Sequence, residues 1–290
     1  MNFQIETHNF CNFTCGYCPN KDMERKREFM SDEVWNMILN KYVTPYKEKN
    51  QFCPPTLILH KDSEPLIDRG LPDKLLTIAA LVPDMKVDIY SNGVLLPKLP
   101  YKLFDLMQSL PNRFRYLMSY HPYNHDGSKN DYRTTIEYMK GVLSNAPPNV
   151  EFITTSHRSK HVTPEMQEEW LNQWIGFPIT VHSNCSINPW TGRIDEGEVT
   201  AHFDGCPYGD FGHMFFGCTG NVIACCLDLE EEIVFGNVLT DDPAEVIADL
   251  EAFYSEQRAG NWKHAVCANC YGKKREDLVQ LGRMRNARRR

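Results

Sequence analysis

Cys11-Asn12-Phe13-Thr14-Cys15-Gly16-Tyr17-Cys18 places three thiols on one short segment, at the spacing C-x3-C-x2-C. The stretch before it, QIETH at 4–8, reads as a short strand, so the thiols fall on a loop at a strand end. Three thiolates on such a loop can hold three irons of a [4Fe–4S] cube and leave the fourth open to another ligand. A structural zinc site takes four ligands, usually in two pairs. His8 is the available fourth, which keeps zinc as the alternative.

Beyond this loop, apolar runs alternate with helical patterns. Ser31 is a fitting N-cap for a helix whose Val34, Trp35, Ile38, Leu39 and Tyr42 share a face. TLILH (56–60), KVDIY (86–90), RYLMSY (115–120), VEFITT (150–155) and PITVHS (178–183) read as strands. Helices are expected near 73–82, 100–109, 131–144 and from Thr163-Pro164 to about 175. Six strands separated by helices or long loops predict an α/β protein with a parallel sheet, either open or barrel-like. Its sites should sit where the strands end. After about 190 the chain becomes rich in Gly and Cys. HMFFG and NVIACC flank Thr219-Gly220, which predicts a hairpin, and Asp241-Asp242-Pro243 opens a helix to about 258.

Composition narrows the class. The chain has 290 residues, 42% of them hydrophobic, and a net charge of −7. It offers no run of the ~20 apolar residues needed to span a bilayer, and no signal-peptide profile. The reading is a soluble, cytoplasmic protein without a membrane partner. Eleven cysteines are an odd number, so they cannot all pair within one chain; most cluster at 11–18 and 206–270. In a reducing compartment that pattern favours metal ligation. The last 18 residues carry eight Lys/Arg against two acids, a tail able to touch nucleic acid or an acidic partner, or simply to stay solvated.

The Cys11/Cys15/Cys18 loop, with Tyr17 before its last cysteine, resembles the hallmark of the radical S-adenosylmethionine superfamily. The resemblance implies a partial (β/α)6 TIM-like barrel over 1–190. It also implies an open iron that chelates the methionine moiety of S-adenosylmethionine (AdoMet), and an electron donor such as flavodoxin or ferredoxin. Other positions fit the same pattern. Glu64-Pro65-Leu66 resembles the end of the family's strand-two Gly-Gly-Glu-Pro-Leu, with Asp62 and Ser63 standing where the family has glycines. Ser91-Asn92-Gly93 resembles the strand-three turn, Ser119 the strand-four serine near the ribose, and Arg133 the arginine that pairs with the methionine carboxylate. Read alone, Glu64 is a helix-start carboxylate, Ser91-Asn92-Gly93 a turn and Arg133 a surface helix residue.

Cys206-x13-Gly220-x4-Cys225 followed by Cys267-x2-Cys270 resembles the SPASM/twitch extension of that superfamily, as do EEWLNQW, NPWTG, CCLD and FGNV. No cysteine follows Cys270, so the resemblance implies the twitch type: one auxiliary [4Fe–4S] cluster on a small hairpin-plus-helix domain over 191–290. A zinc ribbon on the same four residues is the alternative. Cys226 could replace Cys225, while Cys53, Cys185 and Cys218 read as packing residues. A closed auxiliary cluster suits electron transfer. The expected reaction is hydrogen abstraction from a small-molecule or nucleotide-linked substrate, with oxidation, decarboxylation or rearrangement to follow. Peptide modification and nucleic-acid base modification are the alternatives, as is a non-catalytic iron–sulfur or zinc protein. The chain starts ten residues before Cys11, which weighs against a fused peptide-recognition domain. His60, Lys61, Tyr90, Tyr120 and His121 fall at strand ends. Of these, His60 and His121 are the first candidates for moving a proton.

Overall fold

The computed structural model describes residues 1–50, 55–157, 162–185, 206, 208, 212–259, 261, 263–268 and 270. Cys53, the NPWTG segment and the arginine-rich tail therefore lie outside the described residues.

Six strands follow one another, joined by five helical crossovers. The strands are β1 (Asn2–Ile5), β2 (Thr56–Ile58), β3 (Lys86–Ser91), β4 (Arg113–Tyr120), β5 (Val150–His157) and β6 (Thr180–Cys185). Each pairs in parallel with the next. Between them run α1 (Asp32–Ile38), α2 (Thr44–Lys49), α3 (Leu71–Leu81), α4 (Leu103–Ser109), α5 (Arg133–Leu143) and α6 (Pro164–Asn172). The expected caps form: Ser31 Oγ accepts from Val34 N at 3.2 Å and Thr163 Oγ1 from Met166 N at 3.3 Å. This unbroken strand order is that of a barrel wall, left open because β6 ends the sheet.

The hairpin expected around Thr219-Gly220 is β7 (His213–Phe216) and β8 (Asn221–Ile223), followed by β9 (Val234–Asn237). Gly220 turns it at φ +90°, where an added Cβ would lie 2.9 Å from Val238 Cγ2. One feature was absent from the expectation. β7 pairs in parallel with β1, so the nine strands among the described residues form one sheet, in the order β6-β5-β4-β3-β2-β1-β7-β8-β9. Helix α7 (Pro243–Arg258), capped by Asp242, packs behind β9, and α8 (Ala265–Ala268) leads to Cys270.

Strand register explains the chemistry of the two faces. Phe3, Leu57, Val87 and Phe114 stand in one cross-strand row, and Ile89, Tyr116 and Phe152 in another; all are buried. The alternate row, Gln4, Ile58, Asp88 and Arg115, and above it Tyr90, Leu117, Ser119 and Thr155, faces the concave side. The apolar face binds the helices. The polar face is left for ligands.

Candidate active site

A cavity of about 380 Å³ opens at the C-terminal ends of these strands, and Cys11, Cys15 and Cys18 all line it. The loop that carries them is held by its own backbone and by neighbours. Cys18 N donates to Cys15 O at 3.0 Å, Thr14 N to Asn124 Oδ1 at 2.9 Å, and His125 N to Thr14 O at 2.7 Å. Arg27 closes the base, donating to Asn9 O and to both oxygens of Asn20. The thiols are electrostatic neighbours. Burial pushes Cys11 up to about 12, Cys18 up to about 11 and Cys15 further, with neighbouring thiols adding to the shift of Cys11 and Cys15. Three crowded thiolates here need a cation between them, and iron supplies that charge. Donor type, number and convergence on one cavity thus fit a three-ligand iron–sulfur cube. His8, the candidate fourth zinc ligand, packs beside the stacked rings of Phe10 and Phe29 and is not among the cavity-lining residues.

Glu64 is 2% exposed and fully engaged. Its Oε1 accepts from Ser91 Oγ at 2.7 Å and Leu66 N at 3.0 Å, and its Oε2 from Asn92 N at 2.7 Å. Its own N donates to Phe10 O at 2.9 Å, which ties the strand-two turn to the cysteine loop. Burial lifts its pKa to about 7 against the pull of these donors. Gly93 follows at φ +76°, where a Cβ would meet Met118 Sδ at 2.8 Å; this allows Ser91 Oγ to accept from Gly93 N and lock the turn. Ser119, which accepts from Thr155 Oγ1 at 3.2 Å, completes the far wall. Tyr17 hydroxyl meets His121 Nδ1, and His121 N donates to Tyr132 Oη at 3.0 Å. His60 lines the cavity beside Tyr90, and burial drives its pKa down to about 4, so its ring is neutral.

The structure thus brings Tyr17, Glu64, Ser91, Asn92, Ser119, His60, Lys61, Tyr90 and His121 to the three-cysteine cavity. It does not bring Arg133 there. That side chain is 87% exposed at the start of α5 and pairs with Asp131 at 2.7 Å, because a carboxylate two residues upstream takes its charge locally. Tyr120 stacks on Trp170 with centroids 4.4 Å apart, a packing contact away from the cavity.

The sequence reading missed the ion network behind the wall. Arg25 donates to Glu6 with both amino groups (2.6 and 2.7 Å), to Glu231 Oε1 at 3.0 Å, to Asp62 Oδ2 at 3.3 Å and to Leu229 O at 2.6 Å. Lys61 Nζ donates to Asp62 and, at 3.1 Å, to Asp228 O. Burial alone would push Glu6 up, but Lys61 and Arg25 together hold it below the usual carboxylate range. Burial wins at Asp62 and lifts it to about 6. Removing one partner from such a buried set costs about 3–5 kcal/mol. Glu6, an acid within the expected strand QIETH, was the one available signal.

In the C-terminal part, Cys206, Cys225 and Cys267 lie in the electrostatic surroundings of the buried Tyr254 hydroxyl, and Cys270 in those of Cys225 and Cys267. Cys226 shares the same surroundings, so five thiols gather here, a soft-donor set of the kind an iron–sulfur cube uses. Cys226 donates to Tyr208 Oη at 3.0 Å, and Cys218 is 2% exposed beside Arg25. No described helix is long and apolar enough to cross a membrane.

Residues 206–271 match the family model described as SPASM, an iron–sulfur cluster-binding domain. A search of curated protein sequences finds no match. Among solved structures, BtrN in complex with AdoMet and 2-DOIA aligns with a TM-score of 0.61 at 17% identity, over 93% of this chain and 94% of that one. The structure of anSMEcpe with bound AdoMet and Cp18Cys peptide gives 0.55 at 11%, over 99% and 97%. Streptococcus suis SuiB bound to S-adenosylmethionine gives 0.50 at 13%, over 97% and 71%. With its three-cysteine loop at the cavity, the chain shares the fold of BtrN and anSMEcpe, both solved with AdoMet, and over 206–271 it matches an iron–sulfur cluster-binding domain.

Proposed function

We propose that the chain cleaves AdoMet reductively, using a [4Fe–4S] cluster held by Cys11, Cys15 and Cys18, to give a 5′-deoxyadenosyl radical that takes a hydrogen atom from a small-molecule or nucleotide-linked substrate. Cys206, Cys225, Cys267 and Cys270 would hold a second [4Fe–4S] cluster, which would supply a site for electron transfer. The observation that carries this reading is the convergence of the three thiols, Glu64, Ser91, Asn92 and Ser119 on one cavity.

In this reading the protein residues bind, orient and exclude water. Glu64 fixes the Ser91-Asn92-Gly93 turn from below, so the turn's backbone presents a rigid edge to the ligand. Ser119 offers its hydroxyl to a ribose. The Tyr17–His121 contact closes the cavity between the cysteine loop and the end of β4. His60, neutral and enclosed, can accept a proton from substrate without first losing one. The peptide reading draws on the likeness to anSMEcpe, whose structure holds a peptide.

The test is anaerobic purification with iron and sulfide counted per chain. The expected result is about eight irons, falling to about four in Cys11/Cys15/Cys18→Ala. With reductant and AdoMet, wild type should release 5′-deoxyadenosine and the triple variant none. Zinc in both centres with no 5′-deoxyadenosine from wild type would overturn the proposal.

A further inference from the structure

The ion network behind the cavity wall has a particular position in the chain. Arg25 lies seven residues past Cys18, on the segment leaving the first cysteine loop. Its guanidinium reaches Glu6 just beyond β1, Asp62 in the cavity wall and Glu231 in the C-terminal part. Its Nε donates to Leu229 O at 2.6 Å. The Glu230 carboxylate in turn accepts from Glu24 N and Arg25 N, at 3.1 and 2.9 Å. Lys61, a cavity residue, donates to Asp228 O, three positions after Cys225. Each residue from 228 to 231 thus has one group held by a residue near the first cysteine centre.

Two further observations show that this turn is built for the contact. Glu231 is the one non-glycine among the described residues with positive φ, at +57°. That conformation is unfavourable for a glutamate, and here it presents the carboxylate to Arg25 and to Asn221 Nδ2 at 2.8 Å. Gly217 leaves the room: a Cβ there would lie 2.1 Å from Glu231 Oε1. Strain in one residue and a missing side chain in another both serve the same carboxylate.

We propose that Arg25 is a positioning residue that locks the Cys225-bearing segment onto the wall of the AdoMet cavity, so that the spacing and coupling of the two cysteine centres depend on its ion network. The inference rests on the two-cluster reading above. A lysine cannot replace it, because one ammonium cannot reproduce the planar fork that binds Glu6 with two amino groups while reaching Asp62 and Glu231.

The experiment uses reconstituted holoenzyme and compares wild type with Arg25→Lys and Glu231→Gln. Iron content, thermal midpoint, AdoMet affinity by equilibrium dialysis and the magnetic interaction between the two reduced clusters by pulsed electron paramagnetic resonance are read together. The expected result is near-wild-type iron in both variants, with a broadened distribution of cluster-to-cluster distances and AdoMet affinity lowered about tenfold in Arg25→Lys and less in Glu231→Gln. A role in stability alone would lower the thermal midpoint and leave the distance distribution sharp, which would overturn the proposal. If Arg25→Lys fails to fold, Glu231→Gln decides by the same criterion. Wild type lacking two clusters would instead sink the function proposed above, and this inference with it.

Discussion

The N-terminal centre draws three cysteines from a single loop between 11 and 18, closed by its own hydrogen bonds and by Arg27. The C-terminal cysteines come from 206, 225, 267 and 270, and only tertiary packing brings them near one another. In the first case local geometry prepares the ligands. In the second, tertiary structure must form before there is a site. The two should therefore fail differently when altered.

The sharpest way to break this comparison is by ligand removal. Cys15→Ala should abolish 5′-deoxyadenosine release and remove about four irons while leaving the C-terminal iron in place. Cys225→Ser should do the reverse to the iron count, and Cys226→Ser, whose sulfur is occupied with Tyr208, should keep both centres. Loss of all iron from either single-centre variant would show that the centres are not independent in assembly.

A smaller effect probes the wall of the first centre. Glu64→Gln places an amide donor among Ser91 Oγ, Leu66 N and Asn92 N, all of which donate to the carboxylate. One buried donor loses its acceptor, and denaturant unfolding should show a loss of about 1–3 kcal/mol.

pH separates the wall further. The pKa of His60 is depressed by burial to about 4, from an ordinary 6.5. The fold therefore prefers the neutral ring. The stability this contributes is complete above about 6.5 and is lost as pH falls toward about 4. The thermal midpoint of wild type should drop across that window relative to His60→Gln. An equal drop in both would assign the acid sensitivity elsewhere. The smallest effect is expected at the rim: Arg133→Ala should leave both the thermal midpoint and AdoMet affinity unaltered, since its guanidinium is in solvent with Asp131.

Local signals were legible in the chain. The six strands, the Ser31 and Thr163 caps, the Thr219-Gly220 hairpin and the helix after Asp242 all follow from short-range patterns, and all form. So do the contents of the cavity wall, because the strand-end motifs carry their own positions. What could not be read depends on distance along the chain. Arg25 is one cation in the run KDMERKRE, and its partners at 229 and 231 lie more than 200 residues away. The position of Arg133 outside the cavity has the opposite, local origin: Asp131, two residues before it, engages its guanidinium.

The parallel pairing of β1 with β7 carries a consequence for biosynthesis. β1 leaves the ribosome first, yet the partner on one of its sides begins at residue 213. At ~5–20 residues per second, that flank of the strand waits roughly 10–40 s with its backbone groups unpaired. Until then the nascent barrel offers an open edge to any neighbouring extended chain, and the same edge would be permanent in a truncation that stops before 213. Such a fragment should aggregate even though it contains all three ligands of the first centre. The C-terminal iron–sulfur domain therefore acts, through β7, as the seal that keeps the barrel soluble.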